Sequence, residues 1–283
     1  MSNDFLRRLD ETPVSASLAV LYVGLALLTD PFDPTTAQLV QHGAARGIDV
    51  ADGEPWRLLT YSFLHGGLVH LLFNMWALAQ LGPLVERTFG SLRFSIVYVT
   101  GAIGGGVIGC LWNNPLAVLV GGSGALFAMM GALVAWLLRQ GGSPRGHMHL
   151  LAARQMAAMI AMNLLLGFLV PMVSNAAHLG GLATGFLVGW LTAQSPRGGR
   201  MPWMLEITAG IALWLSLLSL TLFPVHRWDW HLAQWERATE SVDRDAHRRA
   251  FSLAFAGRES TVRDDAHMRA FADQIAAMRR LED

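Results

Sequence analysis

G-G-S-G-A-L-F-A-M-M-G-A-L-V-A-W-L-L, residues 121–138, carries no charge and is long enough to enter a bilayer as a helix, yet it opens on two glycines, a serine and a third glycine. Lipid cannot hydrogen-bond an open backbone, so an apolar stretch of this length reads as a membrane helix. Similar runs lie near 14–29, 58–84, 92–112, 115–138, 152–172, 178–194 and 205–224. Of the 283 residues, 53% are hydrophobic and 15% charged, with mean hydropathy +0.37; a soluble domain carries about 25% charged residues. An all-α membrane protein with seven crossings is expected.

Charge separates other classes. Every cationic side chain is arginine and the formal net charge is zero, so no basic surface points to nucleic acid. Cys110 is the only cysteine, which excludes an intrachain disulfide and reads as a small apolar side chain. Arg7 and Arg8, Arg87 and Arg93, Arg139, Arg145 and Arg154, and Arg197 and Arg200 fall in alternate connections. By the positive-inside rule the N-terminus is cytoplasmic and the acidic 30–57 connection faces outward. The first run has no small-residue cleavage site before Asp30 and reads as a retained anchor.

Strongly polar side chains inside spans are costly and face cavities or neighbouring helices. Here they are His65, His70 and Asn74 in the second run, Ser123 in the fourth, Asn163 in the fifth and His178 in the sixth. His70 lies 17 residues before Arg87, Ser123 lies 16 before Arg139, and His178 lies 19 before Arg197. At about 1.5 Å per residue the three stand about 24–28 Å above the inner boundary of a core about 30 Å thick. Three separate helices thus bring a hydroxyl and two imidazoles to one level beneath the outer surface.

The opening glycines fit that site. Asn113, Asn114 and Pro115 end one span, and Leu116 to Val120 is too short to cross but can dip inward under protein cover. Gly121 and Gly122 then permit a tight turn that leaves Ser123 at a helix N-terminus, where free N–H groups suit a developing oxyanion. Gly181, Gly185 and Gly189 share a face with His178, and Gly124, Ala128, Gly131 and Ala135 form a matching stripe. Close approach of these faces would bring the hydroxyl and an imidazole nitrogen within the reach needed for proton transfer. His70 and Asn74, four residues apart, share a helical face from which both can donate hydrogen bonds. His65 lies about 140° round from His70, which suggests a structural role near the mouth. No Asp or Glu lies between Arg87 and Pro202, so spans three to six supply no acid for His178, and Phe127 is the expected platform for its ring.

These residues occur in Trp56–Arg57, H-G-G-L-V-H-L-L-F-N (65–74), Glu86–Arg87 with Gly90, G-G-S-G-A (121–125) and A-H-L-G-G-L-A-T-G (177–185). In those motifs, from about Trp56 to Leu191, the chain resembles the rhomboid intramembrane serine proteases. The resemblance implies a six-helix core with Ser123 as nucleophile and His178 as general base and later acid. It implies an oxyanion hole from His70, Asn74 and the Ser123 amide, supported by Gly121, Gly122, Gly124, Phe127, Gly181 and Gly185. It also implies transmembrane protein substrates, cut near the extracytoplasmic face, with no cofactor and no metal. The aromatic below the serine, often tyrosine in the family, is Phe127 here. A catalytically silent rhomboid-like binder of membrane clients is the alternative; a transporter is disfavoured by the lack of intramembrane carboxylates.

The expected organisation is a cytoplasmic segment 1–13, a six-helix catalytic core 14–194, a linker and seventh helix 195–224, and an extracytoplasmic helical tail 225–283, in the plasma (inner) membrane. The tail repeats S-V-D-R-D-A-H-R-R-A-F (241–251) as T-V-R-D-D-A-H-M-R-A-F (261–271). His247 and His267, beside Asp245 and Asp265, could ligate a metal but read rather as solvated helix positions, and nothing in the repeat names a partner.

Overall fold

A computed structural model of the chain describes residues 11–51, 53–113, 116–140, 146–169 and 173–192. The described residues form helices joined by loops, with one isolated antiparallel bridge between Ala45 and Leu119. In chain order the helices are α1 (Pro13–Leu28), α2 (Thr36–Gln41), α3 (Gly47–Ala51), α4 (Arg57–Thr60), α5 (Leu68–Phe89), α6 (Ser91–Trp112), α7 (Ser123–Arg139), α8 (Gly146–Leu169) and α9 (Asn175–Thr192). A 3-10 turn, Tyr61–Phe63, follows α4. The chain divides into Met1–Pro224 and Val225–Asp283. The expected seventh helix (195–224), the tail (225–283) and its repeat lie outside the described residues.

Helices α5, α6 and α8 are long and apolar enough to cross a membrane; α1 and α7 are apolar but shorter. At about 1.5 Å per residue, the 17 residues of α7 span about 26 Å. The described residues are thus all-α, and their long apolar helices suit a multi-pass membrane protein. The run at 58–84 is not one helix: Leu58–Phe63 belongs to α4 and the 3-10 turn, and α5 starts only at Leu68. Gly67 has φ 102°, a conformation that interrupts a right-handed helix whatever the hydropathy of its neighbours. The run at 115–138 likewise becomes helical only at Ser123.

Missing side chains let α6, α7 and α9 approach closely. A Cβ at Gly181 would lie 2.0 Å from the Gly124 carbonyl oxygen, and one at Gly185 would lie 2.0 Å from that of Ala128. Gly189 faces Ala132, one turn short of the Ala135 in the expected stripe, and Gly131 faces the Leu182 carbonyl. On α6, Gly101 abuts Ala128 and Gly104 abuts Thr184. Backbones meet directly here, which fixes the height of α9 against α7 more tightly than flexible side chains would.

Buried ionic groups hold the periphery. Glu86 is 2% exposed and accepts hydrogen bonds from Val14 N (3.0 Å), Ser15 N (2.8 Å), Ser15 Oγ (2.7 Å) and Ser91 Oγ (2.7 Å). Its carboxylate satisfies free N–H groups at the start of α1, where the helix dipole favours negative charge. Arg57, also buried, donates to the Val40 (2.6 Å) and Ala44 (2.9 Å) carbonyls and pairs with Glu54. Its guanidinium lies 4.6 Å from the Trp56 ring centroid. The 40–57 loop is thereby closed on itself, and the Ala45–Leu119 bridge fastens it to the segment that leads into α7.

Candidate active site

The segment before α7 is extended rather than helical, and its polar backbone is covered by protein. Leu119 N donates to Ala45 O (2.8 Å), and Gly121 N donates to Tyr61 O (3.0 Å). Gly121 has φ 109°, which turns the chain, and Gly122 caps α7 so that Ser123 is its first residue. The first N–H groups of a helix lack intrahelical partners, so the serine hydroxyl emerges among free amides.

His178 reaches it from α9. Its Nε2 lies 2.9 Å from Ser123 Oγ, within hydrogen-bonding distance. The imidazole is stacked on Phe127 with centroids 4.2 Å apart and planes at 10°. His178 Nδ1 is buried with no hydrogen-bond partner among the described residues, so the ring is oriented by packing. The contact of Gly181 with Gly124, directly below, sets the separation of the two backbones.

The opposite wall comes from α5. His70 Nδ1 accepts from Gly66 N (3.2 Å), which leaves the proton on Nε2. That edge of the ring faces the turn: a Cβ at Gly121 would lie 2.6 Å from both His70 Cε1 and Nε2 and 3.8 Å from Asn74 Nδ2. Asn74 Nδ2 donates to His70 O (3.0 Å), which engages one of its two protons. The structure thus brings Ser123, His178, His70, Asn74, Phe127 and the glycines at 121, 122, 124 and 181 together. Gly185 lies further down the same helix contact.

Other residues belong to the site's surroundings, and of these Tyr22 and Tyr61 lie in no quoted motif. His65 is not on α5, so the helical-wheel angle did not apply to it; it is buried, edge-on to His70 at 5.3 Å and to Tyr22 of α1 at 4.7 Å between centroids. Tyr61 donates from its hydroxyl to Ala102 O (2.8 Å) and packs against Gly105 and Gly124. Asn163 bonds its own helix at Met159 O (2.9 Å) and takes no part.

Known proteins resemble this chain over much of its length. A family model, the Rhomboid domain, matches residues 52–195. RHOMBOID-like protein 6, mitochondrial, of Arabidopsis thaliana is 36% identical over 175 residues, covering 61% of this chain and 56% of that protein. RHOMBOID-like protein 5 of the same plant is 34% identical over 197 residues, covering 69% and 59%. Rhomboid protease GluP of Bacillus subtilis (strain 168) is 39% identical over 184 residues, covering 65% and 35%. The chain therefore spans little more than half the length of the two plant relatives. The matched region contains the Ser123–His178 pair and the α5 wall, and by that match the chain belongs to the rhomboid family.

Proposed function

We propose that this chain is an intramembrane serine endopeptidase that hydrolyses a peptide bond in or next to a substrate transmembrane helix, near the extracytoplasmic face. The 2.9 Å approach of His178 Nε2 to Ser123 Oγ, across two helices held backbone to backbone, carries the reading. His178 takes the hydroxyl proton as Ser123 Oγ attacks the carbonyl, then delivers it to the leaving amine. Water enters from outside and attacks the acyl-enzyme, with His178 again as base.

Charge that develops on the carbonyl oxygen would meet the Ser123 N–H, His70 Nε2–H and the second Asn74 Nδ2 proton. Fixed donors in a dry site stabilise such an oxyanion by about 3–4 kcal/mol each. The imidazolium formed on His178 would lie against the Phe127 face, which supplies a cation–π contact where a carboxylate would stand in a triad. A helical substrate has its carbonyls bonded, so small or helix-weakening residues near the cut favour attack. The N-terminus is cytoplasmic and the host is the plasma (inner) membrane in this reading.

A silent client-binding rhomboid would keep the fold and lose the chemistry. Detergent-solubilised protein is incubated with a model transmembrane substrate, alongside Ser123→Ala and His178→Ala. Cleavage by the wild type alone supports the protease; binding without cleavage by all three supports the silent reading.

A further inference from the structure

Behind the Gly121–Ser123 turn sits a polar pair that the proposed reaction does not use. Tyr22 of α1 is 0% exposed, and its hydroxyl lies 2.9 Å from that of Tyr98 on α6. Tyr98 is buried too and can donate to Ser62 O at 3.4 Å, while Ser62 Oγ donates to Leu59 O at 2.7 Å. In that order Tyr22 donates to Tyr98, and the lone pairs of Tyr22 are left facing the turn. A Cβ at Gly122 would fall 1.7 Å from the Tyr22 oxygen. One Gly122 Cα–H therefore points at that oxygen, a weak hydrogen bond that also sets how deep the turn can settle. The same Tyr22 ring meets His65 edge-on, and His65 meets His70 edge-on. One side chain of α1 thus bears on both walls of the oxyanion region, the turn that carries the Ser123 amide and the His70 ring.

We infer that the Tyr22–Tyr98 hydroxyl pair is a positioning element that sets the height of the Gly121–Ser123 turn, and with it the placement of the oxyanion donors. The inference rests on the proposed serine hydrolase reading. It separates α1 from a purely anchoring role: through one hydrogen bond to α6, the first helix controls the alignment of an amide on α7. The pair touches no substrate, so its effect falls on the transition state rather than on binding.

The test uses Tyr22→Phe, Tyr98→Phe and the double variant in the full chain, each of which removes only oxygen. Cleavage of a transmembrane substrate gives kcat and KM, with kcat normalised to the Ser123 that a fluorophosphonate can titrate, at a temperature well below each variant's melting point. Each single variant is expected to lose about tenfold in kcat with KM within about twofold, and the double variant to lose no more than either single one. A single variant with wild-type kcat would overturn the inference, as would additive losses or losses that vanish on normalisation. Should Tyr22→Phe fail to fold, Tyr98→Phe breaks the same bond from α6. Wild-type protein that neither labels nor cleaves refutes the hydrolase reading itself; labelling and cleavage with unaffected variants refutes the positioning role alone.

Discussion

Gly181→Ala puts one methyl group where the fold has no space for it. The new Cβ would stand 2.0 Å from the Gly124 carbonyl oxygen, whereas ordinary contact starts at 3.4 Å. Backbone cannot swing aside as a side chain can, so α9 must retreat from α7 by about 1.4 Å at this level. Gly181 is less than one turn from His178, and the retreat carries the imidazole with it. The Nε2 to Oγ distance of 2.9 Å would open to about 4 Å, beyond hydrogen-bonding range. A misplacement of about 1 Å at reacting groups costs about 100-fold in rate. Gly181→Ala should therefore cut kcat about 100-fold on a transmembrane substrate, with a smaller change in KM. Fluorophosphonate labelling of Ser123 should slow in parallel. Labelling and cleavage within about threefold of wild type would refute the claim that backbone contact between α7 and α9 sets the reacting distance.

Other perturbations read other parts of the structure. Phe127→Leu removes the ring stacked on His178 and is expected to lower kcat about tenfold while Ser123 stays titratable, a cation–π contribution of about 1 kcal/mol or slightly more, measured in the same cleavage assay. Glu86→Gln leaves an amide that cannot accept all four hydrogen bonds at the start of α1 and α6; thermal or denaturant unfolding should show a loss of about 2–3 kcal/mol, with cleavage by the folded fraction nearly unchanged. Arg57→Lys replaces a planar guanidinium that joins Val40, Ala44 and Glu54; a point charge cannot serve all three, and limited proteolysis should cut within 40–57 faster than in the wild type.

The site was more legible in the sequence than its supports. Spacing of Gly181 and Gly185 on one face, with Gly124 and Ala128 on another, is a periodic signal, and it led to helix faces that do meet. Phe127 lies one turn from Ser123, so once Ser123 is paired with His178 the ring falls near the histidine. Hydropathy misplaced the start of α5 because it scores side chains, and the break at Gly67 is a matter of backbone φ. The same blindness put His65 on a helical wheel when it lies in a loop. Tyr22, Tyr98 and Glu86 act over sequence separations of 71 to 76 residues. A single buried hydroxyl or carboxylate in a helix carries no period, and its partner emerges only when the helices are packed. Trp56–Arg57 was visible as a motif, but the carbonyls that Arg57 gathers were not, since backbone groups leave no mark on composition.

Reaction of Ser123 with a fluorophosphonate, mapped by peptide mass spectrometry in wild type, His178→Ala and Asn163→Ala, tests the central claim most directly. An imidazole 2.9 Å away should make this one hydroxyl nucleophilic. The account predicts a single phosphonylated residue, Ser123, in the wild type and in Asn163→Ala, with labelling at least about 100-fold slower in His178→Ala. Modification spread over other serines, or Ser123 labelling that is indifferent to the loss of His178, would contradict it.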